Sequence, residues 1–243
     1  IGVFLDLKKA FDVCSHSILL KKLTKMGING ITHKWFANYL AGRSQKVDIN
    51  GNLSDELSID ISVIQGSILG PILFLCYIND FYSCTSLFSV LFADDTTCLS
   101  KGKNLNELLL YVNAELQKIA LWFKANKMAV NASKTKFLVF RTHGKKINAN
   151  ECTLKFNNNE PGQPVDPSLI YNIDRIHSEG QEKSFKLLGV LFDEYLSFDA
   201  HITHLCSRIS KSIFCINRIK NFVDRDPFAY FVLYQHIWQC KHN

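Results

Sequence analysis

Two apolar segments that flank a pair of aspartates constrain the fold more than any other feature of this sequence. Residues 87–93 and 96–99 are apolar and strand-like, and Asp94-Asp95 lies between them. Asp6 interrupts a similar apolar run at residues 1–7. A carboxylate in such a place is costly to bury unless a cation compensates it. The sequence therefore predicts a hairpin with an acidic tip and a second strand that ends on an acid.

These three aspartates are open to two interpretations. Adjacent carboxylates repel each other, and a divalent ion removes that penalty. If the strands are neighbours, Asp6 and Asp94 share one or two Mg²⁺ ions, as in two-metal phosphoryl transfer. Alternatively, Asp94-Asp95 is a turn dipeptide, because Asp is common in hairpin loops. The residue types alone leave the two interpretations about even.

Composition excludes several classes of protein. The 243 residues are 47% hydrophobic and 21% charged, which rules out wholesale disorder, and 12 Gly with 5 Pro rule out a collagen-like chain. The net charge of +6 permits a polyanionic partner. Eight cysteines without a Cys-x-x-Cys pair argue against a zinc ribbon and fit free thiols in a reducing compartment. The longest apolar run, residues 68–78, is too short to span a bilayer, so no membrane association is expected.

The order of predicted elements indicates an α+β fold with a mainly antiparallel sheet backed by helices. A capping box at Asn104 and Glu107 starts a long amphipathic helix, and Asn50-Gly51 marks a hairpin. The segment at 72–78 is apolar all round, which predicts a helix in the centre of the core. Residues 144–184 are rich in Asn, Gly, Pro and charge, which predicts an inserted surface excursion.

Five motifs in a fixed order resemble the palm motifs of reverse transcriptases, in particular those of jockey-type non-LTR retrotransposons. They are residues 4–12 (FLDLKKAFD), 65–71 (QGSILGP), 92–95 (FADD), 131–136 (NASKTK) and 186–190 (KLLGV). Each motif alone is a weak match, and the tetrapeptide at 92–95 occurs often by chance. Their order and spacing over most of the chain make the resemblance specific. One departure is Ile64, which stands where the family usually has proline.

The resemblance implies an RNA-directed DNA polymerase that uses two Mg²⁺ ions, with Mn²⁺ as a substitute. Asp6 and Asp94 would be the metal ligands, and Asp95 a supporting carboxylate in the same site. The implied partners are an RNA template, a DNA primer and dNTPs, in the nucleus and cytoplasm as for a retrotransposon protein. The identity of any protein partner is left unknown.

Three further residues would contact the nascent base pair or the incoming nucleotide. Phe11 lies where the family has an aromatic residue that crowds the 2′ position of the nucleotide. Gln65 and Gly66 would line the base pair, and Gly lets a backbone approach closely. Without the resemblance, Phe11 is an ordinary core residue and Gln65-Gly66 a turn that leads into a helix.

The resemblance also assigns residues later in the chain. Lys134 would donate a proton to the departing pyrophosphate, although a solvated lysine at a strand start is the simpler interpretation. Leu188 and Gly189 would form the primer grip, for which the alternative is a core hairpin.

A predicted terminal helix beginning near Asp199 carries an apolar stripe opposite a basic one. The apolar residues are Ile202, Leu205, Ile209, Ile213, Ile216 and Ile219. The basic residues expected at the phosphates of a primer–template duplex are Arg208, Lys211 and Arg218. Most such stripes are merely solvated surface, so this pattern alone is weak support.

By this resemblance the chain divides into a palm (1–143), a surface insertion (144–184), a primer-grip hairpin (185–196) and a mostly helical partial thumb (197–243). The fingers are expected upstream of residue 1, as part of a longer polypeptide. Two other functions stay open: an inactive remnant that at most binds nucleic acid, and another palm-type enzyme such as a nucleotidyl cyclase. The cyclase is the weaker of the two, because it needs neither the Gln65-Gly66 turn nor a basic terminal helix.

Overall fold

Five α-helices and twelve strands occur in the residues that the computed structural model describes, which are 1–64, 66–145, 147, 152–159 and 164–219. The helices are α1 (His16–Lys25), α2 (Gly30–Leu40), α3 (Leu69–Ile78), α4 (Leu105–Ala125) and α5 (Asp199–Ile219). The strands are β1 (Gly2–Leu5), β2 (Arg43–Gln45), β3 (Asp48–Ile49), β4 (Asn52–Leu53), β5 (Leu57–Ile59), β6 (Phe88–Phe92), β7 (Asp95–Leu99), β8 (Lys136–Leu138), β9 (Leu154–Asn157), β10 (Ile170–Ile176), β11 (Phe185–Leu187) and β12 (Val190–Phe192).

A six-stranded sheet organises the first of two compact units, which contains residues 1–139 and 143–175. Its strand order is β6-β7-β1-β8-β10-β9. Strand β1 pairs antiparallel with both β7 and β8, and all four of its residues are buried. A short strand buried on both faces has to be apolar throughout, as Gly2–Leu5 is. The α+β prediction is confirmed.

Helix α4 forms where its local sequence predicts it. The Asn104 side chain accepts hydrogen bonds from the backbone N–H groups of Asn106 and Glu107, and its amide donates to Glu107 Oε1 at 3.0 Å. This satisfies N–H groups that have no partner within the helix. One apolar face of the helix is buried, and it consists of Leu108, Leu109, Val112, Leu116, Ile119 and Phe123.

A buried lysine of α1 contacts three other helical segments of the core, which are α3, a 3-10 turn at Asn79–Ser83 and α4. Lys22 Nζ donates hydrogen bonds of 2.6 Å to the carbonyl of Tyr77 and to Asp80 Oδ1. It also lies 4.9 Å from the Tyr77 ring centre and 4.8 Å from that of Trp122. Burial lowers the pKa of Lys22, and the carboxylate of Asp80 opposes that shift. The charge is tolerated because an acid, a carbonyl and two aromatic faces surround it.

Residues 144–184 are more than the predicted surface insertion, because they supply strands β9 and β10 of the sheet. Leu154 and Phe156 of β9 are buried, and Phe156 packs near Phe123 of α4 with ring centres 6.5 Å apart. The many turn-forming residues in this segment favour a loop prediction, which outweighs the short apolar alternation of the two strands.

Helix α3 also differs from its prediction of burial on every side. It buries Leu73, Phe74, Tyr77 and Ile78, whereas Ile72 and Leu75 are each about half exposed, at 51% and 53%. Helix α1 and other core residues pack against one side of α3, and Ile72 and Leu75 lie on the other side. All-round apolar composition therefore does not report which side faces the core.

The second unit contains residues 140–142 and the described residues from 176 onward. The hairpin β11–β12 pairs Leu187 with Val190, and α5 packs against β12. The Leu191 N–H donates to His201 Nδ1 at 3.5 Å, and the rings of Phe192 and Phe198 lie 5.7 Å apart. Among the described helices of the whole chain, none combines the length and hydropathy that a bilayer span requires.

Candidate active site

The three predicted acidic residues lie at one edge of the central sheet. Strand β1 pairs with β7 in a register that sets Leu5 opposite Thr96, so the next position brings Asp6 opposite Asp95. Asp94 lies in the two-residue turn of the β6–β7 hairpin, next to Asp95. All three residues are half-buried. The structure therefore brings together carboxylates that are about ninety residues apart in the sequence.

The electrostatics of this edge show that the carboxylates interact. The pKa of Asp95 is raised, first by burial and then by the negative charges of Asp94 and Asp6. A bound cation would relieve the same repulsion. Ionising all three carboxylates at this edge is therefore energetically unfavourable when no cation is bound.

A Mg²⁺ site is compatible with this arrangement. No group of three or more Asp, Glu, His or Cys side chains in the described part of the chain is placed to enclose a metal ion. Mg²⁺ does not require such a cage, since it is usually held by one or two carboxylates together with water and substrate phosphates. Asp6 and Asp94 supply that number of carboxylates, and Asp95 adds a neighbouring negative charge. The donor set therefore fits an ion that arrives with a nucleotide.

Backbone strain accompanies the acidic turn. Ala93, which precedes Asp94, has a φ of 51°, in the left-handed region that favours glycine. A non-glycine residue there costs about 1 kcal/mol or more. Phe92 and Asp95 pair across the hairpin and hold the turn closed. The strained turn fixes where Asp94 lies relative to β1.

Phe11 is half-buried and stacks on the core. Its ring centre lies 4.5 Å from that of Phe74 in α3, and the planes are inclined by 27°. The carbonyl of Phe11 accepts a hydrogen bond of 2.9 Å from the Val63 N–H. One side of the ring therefore packs on the core while part of it stays accessible.

The second motif leads into α3 through a tightly bonded turn. Gln65 lies outside the described residues, and Gly66 follows it with a φ of 79°, which explains the glycine. Ser67 Oγ donates to the Ile64 carbonyl at 2.8 Å and accepts from the Gly70 N–H at 2.9 Å. A Cβ at Gly70 would lie 2.3 Å from the Ile64 carbonyl oxygen, so only glycine fits there.

The backbone before this turn contains a feature that no motif marks. Ser62 has a φ of 99°, and its carbonyl oxygen lies 2.8 Å from Nε2 of His16. The Ser62 N–H donates to the Cys14 carbonyl at 2.8 Å. These bonds, together with that from Val63 to Phe11, tie the end of the first motif and the residues after it to the segment before the second motif. A serine in the sequence gives no sign of such a conformation.

The fourth motif is tied to the first through its backbone. The Asn131 N–H donates to the Asp6 carbonyl at 2.8 Å, and Thr135 Oγ1 accepts from the Asp6 N–H at 3.3 Å. Lys134 lies in the turn between them, where its N–H donates to the Asn131 carbonyl, and its side chain is exposed. The position is near Asp6 in the fold, and the role of the amine stays a prediction.

The remaining predicted residues lie in the second unit. Leu188 (φ 47°) and Gly189 (φ 88°) form the two-residue turn of the β11–β12 hairpin. Both are exposed, so the simple alternative of a core hairpin does not fit the turn itself. In α5 the side chains of Lys211 and Arg218 are exposed and that of Arg208 is half-buried.

Comparison with known proteins relates most of this chain to one family of polymerases. Residues 1–192 match the family model for reverse transcriptase (RNA-dependent DNA polymerase). The RNA-directed DNA polymerase from mobile element jockey of Drosophila melanogaster is 27% identical over 213 residues, which is 84% of this chain and 21% of that protein. The probable RNA-directed DNA polymerase from transposon X-element of the same organism is 26% identical over 217 residues, 87% of this chain and 21% of that protein.

A third relative belongs to a different element. The retrovirus-related Pol polyprotein from type-1 retrotransposable element R2 of Popillia japonica is 23% identical over 206 residues, 78% of this chain and 30% of that protein. The chain spans about a fifth of the length of its jockey and X-element relatives. Because the family model covers most of the chain and includes all five motifs, this protein belongs to the reverse transcriptase family, and its relatives are the polymerases of non-LTR retrotransposons.

Proposed function

We propose that this chain carries out RNA-directed DNA synthesis, as the palm and partial thumb of a non-LTR retrotransposon polymerase. The observation that carries the proposal is the meeting of Asp6, Asp94 and Asp95 at one sheet edge. In the reaction, the primer 3′-hydroxyl oxygen bonds to the α-phosphorus of a dNTP that is paired with the RNA template. The bond to the β-phosphate oxygen breaks, and pyrophosphate leaves.

The acidic residues would hold the metal ions. We assign Asp6 and Asp94 as ligands of two Mg²⁺ ions, replaceable by Mn²⁺, and Asp95 as the supporting carboxylate. The ions, when bound, lower the pKa of the primer hydroxyl and neutralise charge on the phosphates. The hydrogen bonds from Asn131 and to Thr135 hold the Asp6 backbone in place.

The other residues would position the substrates. Gln65 and Gly66 would line the nascent base pair, and Lys134 would give a proton to the departing pyrophosphate. Leu188 and Gly189, at an exposed turn, would contact the primer end. The duplex phosphates would lie against the basic residues of α5, which are Arg208, Lys211 and Arg218. The proposed domains are the palm (1–143), the insertion (144–184), the primer-grip hairpin (185–196) and the partial thumb (197–243).

Primer extension tests the proposal directly. The chain is incubated with poly(rA), an oligo(dT) primer, dTTP and Mg²⁺, and the product lengths are measured with and without EDTA. We expect extension that requires both the metal ion and the RNA template. Absence of extension over a series of Mg²⁺ and Mn²⁺ concentrations would contradict polymerase activity of this chain.

Phe11→Ala is expected to relax the choice of sugar. The half-buried ring lies beside the second motif, where it would crowd a nucleotide 2′-hydroxyl. Its removal should lower the preference for dTTP over UTP at least about tenfold, since rejecting a single group is worth a few kcal/mol. The measurement is kcat/KM for each nucleotide in primer extension. Phe74→Leu, which changes the buried partner ring, is the matched control and should keep the dTTP preference.

A further inference from the structure

The positive charge of this protein is concentrated in one short region. From residue 13 to residue 47 the chain has six Lys and Arg residues and no Asp or Glu, and the net charge of the whole chain is +6. The region contains α1, α2 and β2. Of its cations, Lys22 is buried on Asp80, whereas Lys21, Lys25, Lys34 and Arg43 are exposed. The helix pair therefore presents a basic surface.

An aromatic ladder runs along the exposed side of α2. The rings of Trp35 and Tyr39 stack with centres 5.5 Å apart and planes inclined by 12°. The guanidinium of Arg43 lies 4.9 Å from the Tyr39 ring centre, and its Nε donates to the Tyr39 carbonyl at 3.0 Å. Trp35 is 52% exposed, and Ile31, one turn before it, is 88% exposed. We call Ile31, Trp35, Tyr39 and Arg43 the ladder face.

Hydrogen bonds and ring contacts attach the ladder face to the rest of the first unit. His33 Nε2 lies 3.2 Å from the carbonyl of Leu20, which ties α2 to α1, and α1 is anchored in the core by Lys22. The edge of Trp35 also contacts Phe36, whose ring centre is 5.1 Å away. A large aromatic side chain held in a fixed orientation, half open to solvent, loses little entropy when a planar ligand stacks on it.

The ladder face continues into a cavity that is lined by the last residue of the first motif and by the residue before the second motif. A cavity of about 460 Å³ is lined by Arg43 and Gln45 on one side, and by Asp12 and Ile64 on the other. Asp12 directly follows Phe11, and Ile64 precedes the Gln65-Gly66 turn. A chain molecule that lay along the ladder face would therefore reach the place where the template base is expected.

We propose that the ladder face binds the unpaired RNA template ahead of the active site. Stacked aromatic rings beside exposed cations recognise single-stranded nucleic acid, since every base has a face that can stack and every nucleotide carries a phosphate. The exposed cations on both helices favour a polyanion as the partner, and the stacked rings match the faces of unpaired bases. Binding of single-stranded RNA by the ladder face does not depend on the proposed polymerase function. Only the statement that this RNA is the template rests on that function.

Fluorescence anisotropy with a labelled 12-nucleotide oligo(rU) tests the inference, and it requires no polymerase activity. Trp35→Ala should weaken binding at least about tenfold, because base–aromatic stacking contributes that much per base. Trp35→Phe keeps a ring and should stay within about threefold of the unchanged protein. Arg43→Ala should lower the slope of log affinity against log salt by about 0.7, the value for one single-strand phosphate.

The controls separate stacking on this face from general attraction. Tyr82→Ala removes an aromatic side chain that is 71% exposed elsewhere on the first unit, and Lys103→Ala removes an exposed cation. Both should leave oligo(rU) affinity nearly unchanged. A Trp35→Ala protein that binds as well as Tyr82→Ala would overturn the inference. The inference would also be overturned if Trp35→Ala weakened binding of a blunt RNA duplex as much as binding of oligo(rU). Failure of the unchanged protein to bind oligo(rU) would overturn it too.

Discussion

Asp94→Asn is expected to lower primer extension by at least about a thousandfold while the protein stays folded. The substitution removes one of the charges that would bind the metal ions, and phosphoryl transfer depends almost entirely on positioning and charge stabilisation. Asn has the shape of Asp and tolerates turns, and the pairing of Phe92 with Asp95 does not involve the replaced group. Product length in primer extension and the thermal unfolding midpoint are the two measurements.

A second measurement on the same variant needs no catalysis. Because the charge of Asp94 raises the pKa of Asp95, its removal should lower the pKa of Asp95 toward its ordinary value. The carboxyl resonance of Asp95 followed by NMR against pH reports this directly. Asp55→Asn, an exposed acid between β4 and β5, is the matched control and should change neither quantity. Extension retained by Asp94→Asn would contradict the metal role.

The acidic residues at the sheet edge are predictable from the sequence because each of them stands out on apolar, strand-like sequence. Asp94-Asp95 between two apolar strands predicts the hairpin, and Asp6 at the end of β1 predicts a second acid on apolar sequence. Their proximity in space was not derivable from local pattern, since it depends on β1 pairing with β7 in one register. The order of the five motifs provided that information by resemblance.

The second motif shows where sequence patterns stop. The QGS turn and the helix after it were predicted, but the exclusion of a Cβ at Gly70 depends on where the Ile64 carbonyl lies. Likewise, the left-handed backbone of Ser62 exists because the hydrogen bond to the Cys14 carbonyl and the contact with His16 support it. Such strain is a property of the assembled structure, and no local propensity encodes it.

Buried charges are the other feature that periodicity cannot predict. Lys22 is buried, whereas the other two lysines of α1 are exposed. Only its contacts with Tyr77, Asp80 and Trp122 distinguish it from them. Arg141 and Glu194 are separated by 53 residues, and neither lies in a recognised motif. Both charges are paired by the tertiary fold, so their burial becomes visible only when the partner is known.

Breaking the Arg141–Glu194 pair should be among the most destabilising single changes in the second unit. Arg141 Nε and Nη2 donate hydrogen bonds of 2.9 and 3.0 Å to the Glu194 carboxylate, whose side chain is 1% exposed. The Ser178 N–H donates to the same carboxylate at 3.0 Å. Burial alone would raise the pKa of Glu194, but the bonds from Arg141 and Ser178 outweigh it and lower the pKa to about 2.

Glu194→Gln is therefore expected to lower the free energy of unfolding by about 3 kcal/mol, because it removes the buried carboxylate charge that compensates the Arg141 guanidinium. Asp174→Asn, which breaks the more exposed pair with Lys136, is the matched control and should cost less than about 1 kcal/mol. Urea unfolding of the three proteins at neutral pH measures both differences. Equal losses for the two variants would contradict the buried pair's special contribution.

The pH dependence of this difference has a definite sign. The pKa of Glu194 is lower in the folded protein, about 2, than in an unfolded chain, where it is about 4.3. Its contribution is therefore complete above about pH 4.5 and is lost as the pH falls toward 2. The stability advantage of the unchanged protein over Glu194→Gln should shrink across that interval in urea unfolding. An advantage that stayed constant down to pH 2.5 would mean that hydrogen bonding to the ionised carboxylate does not stabilise the fold.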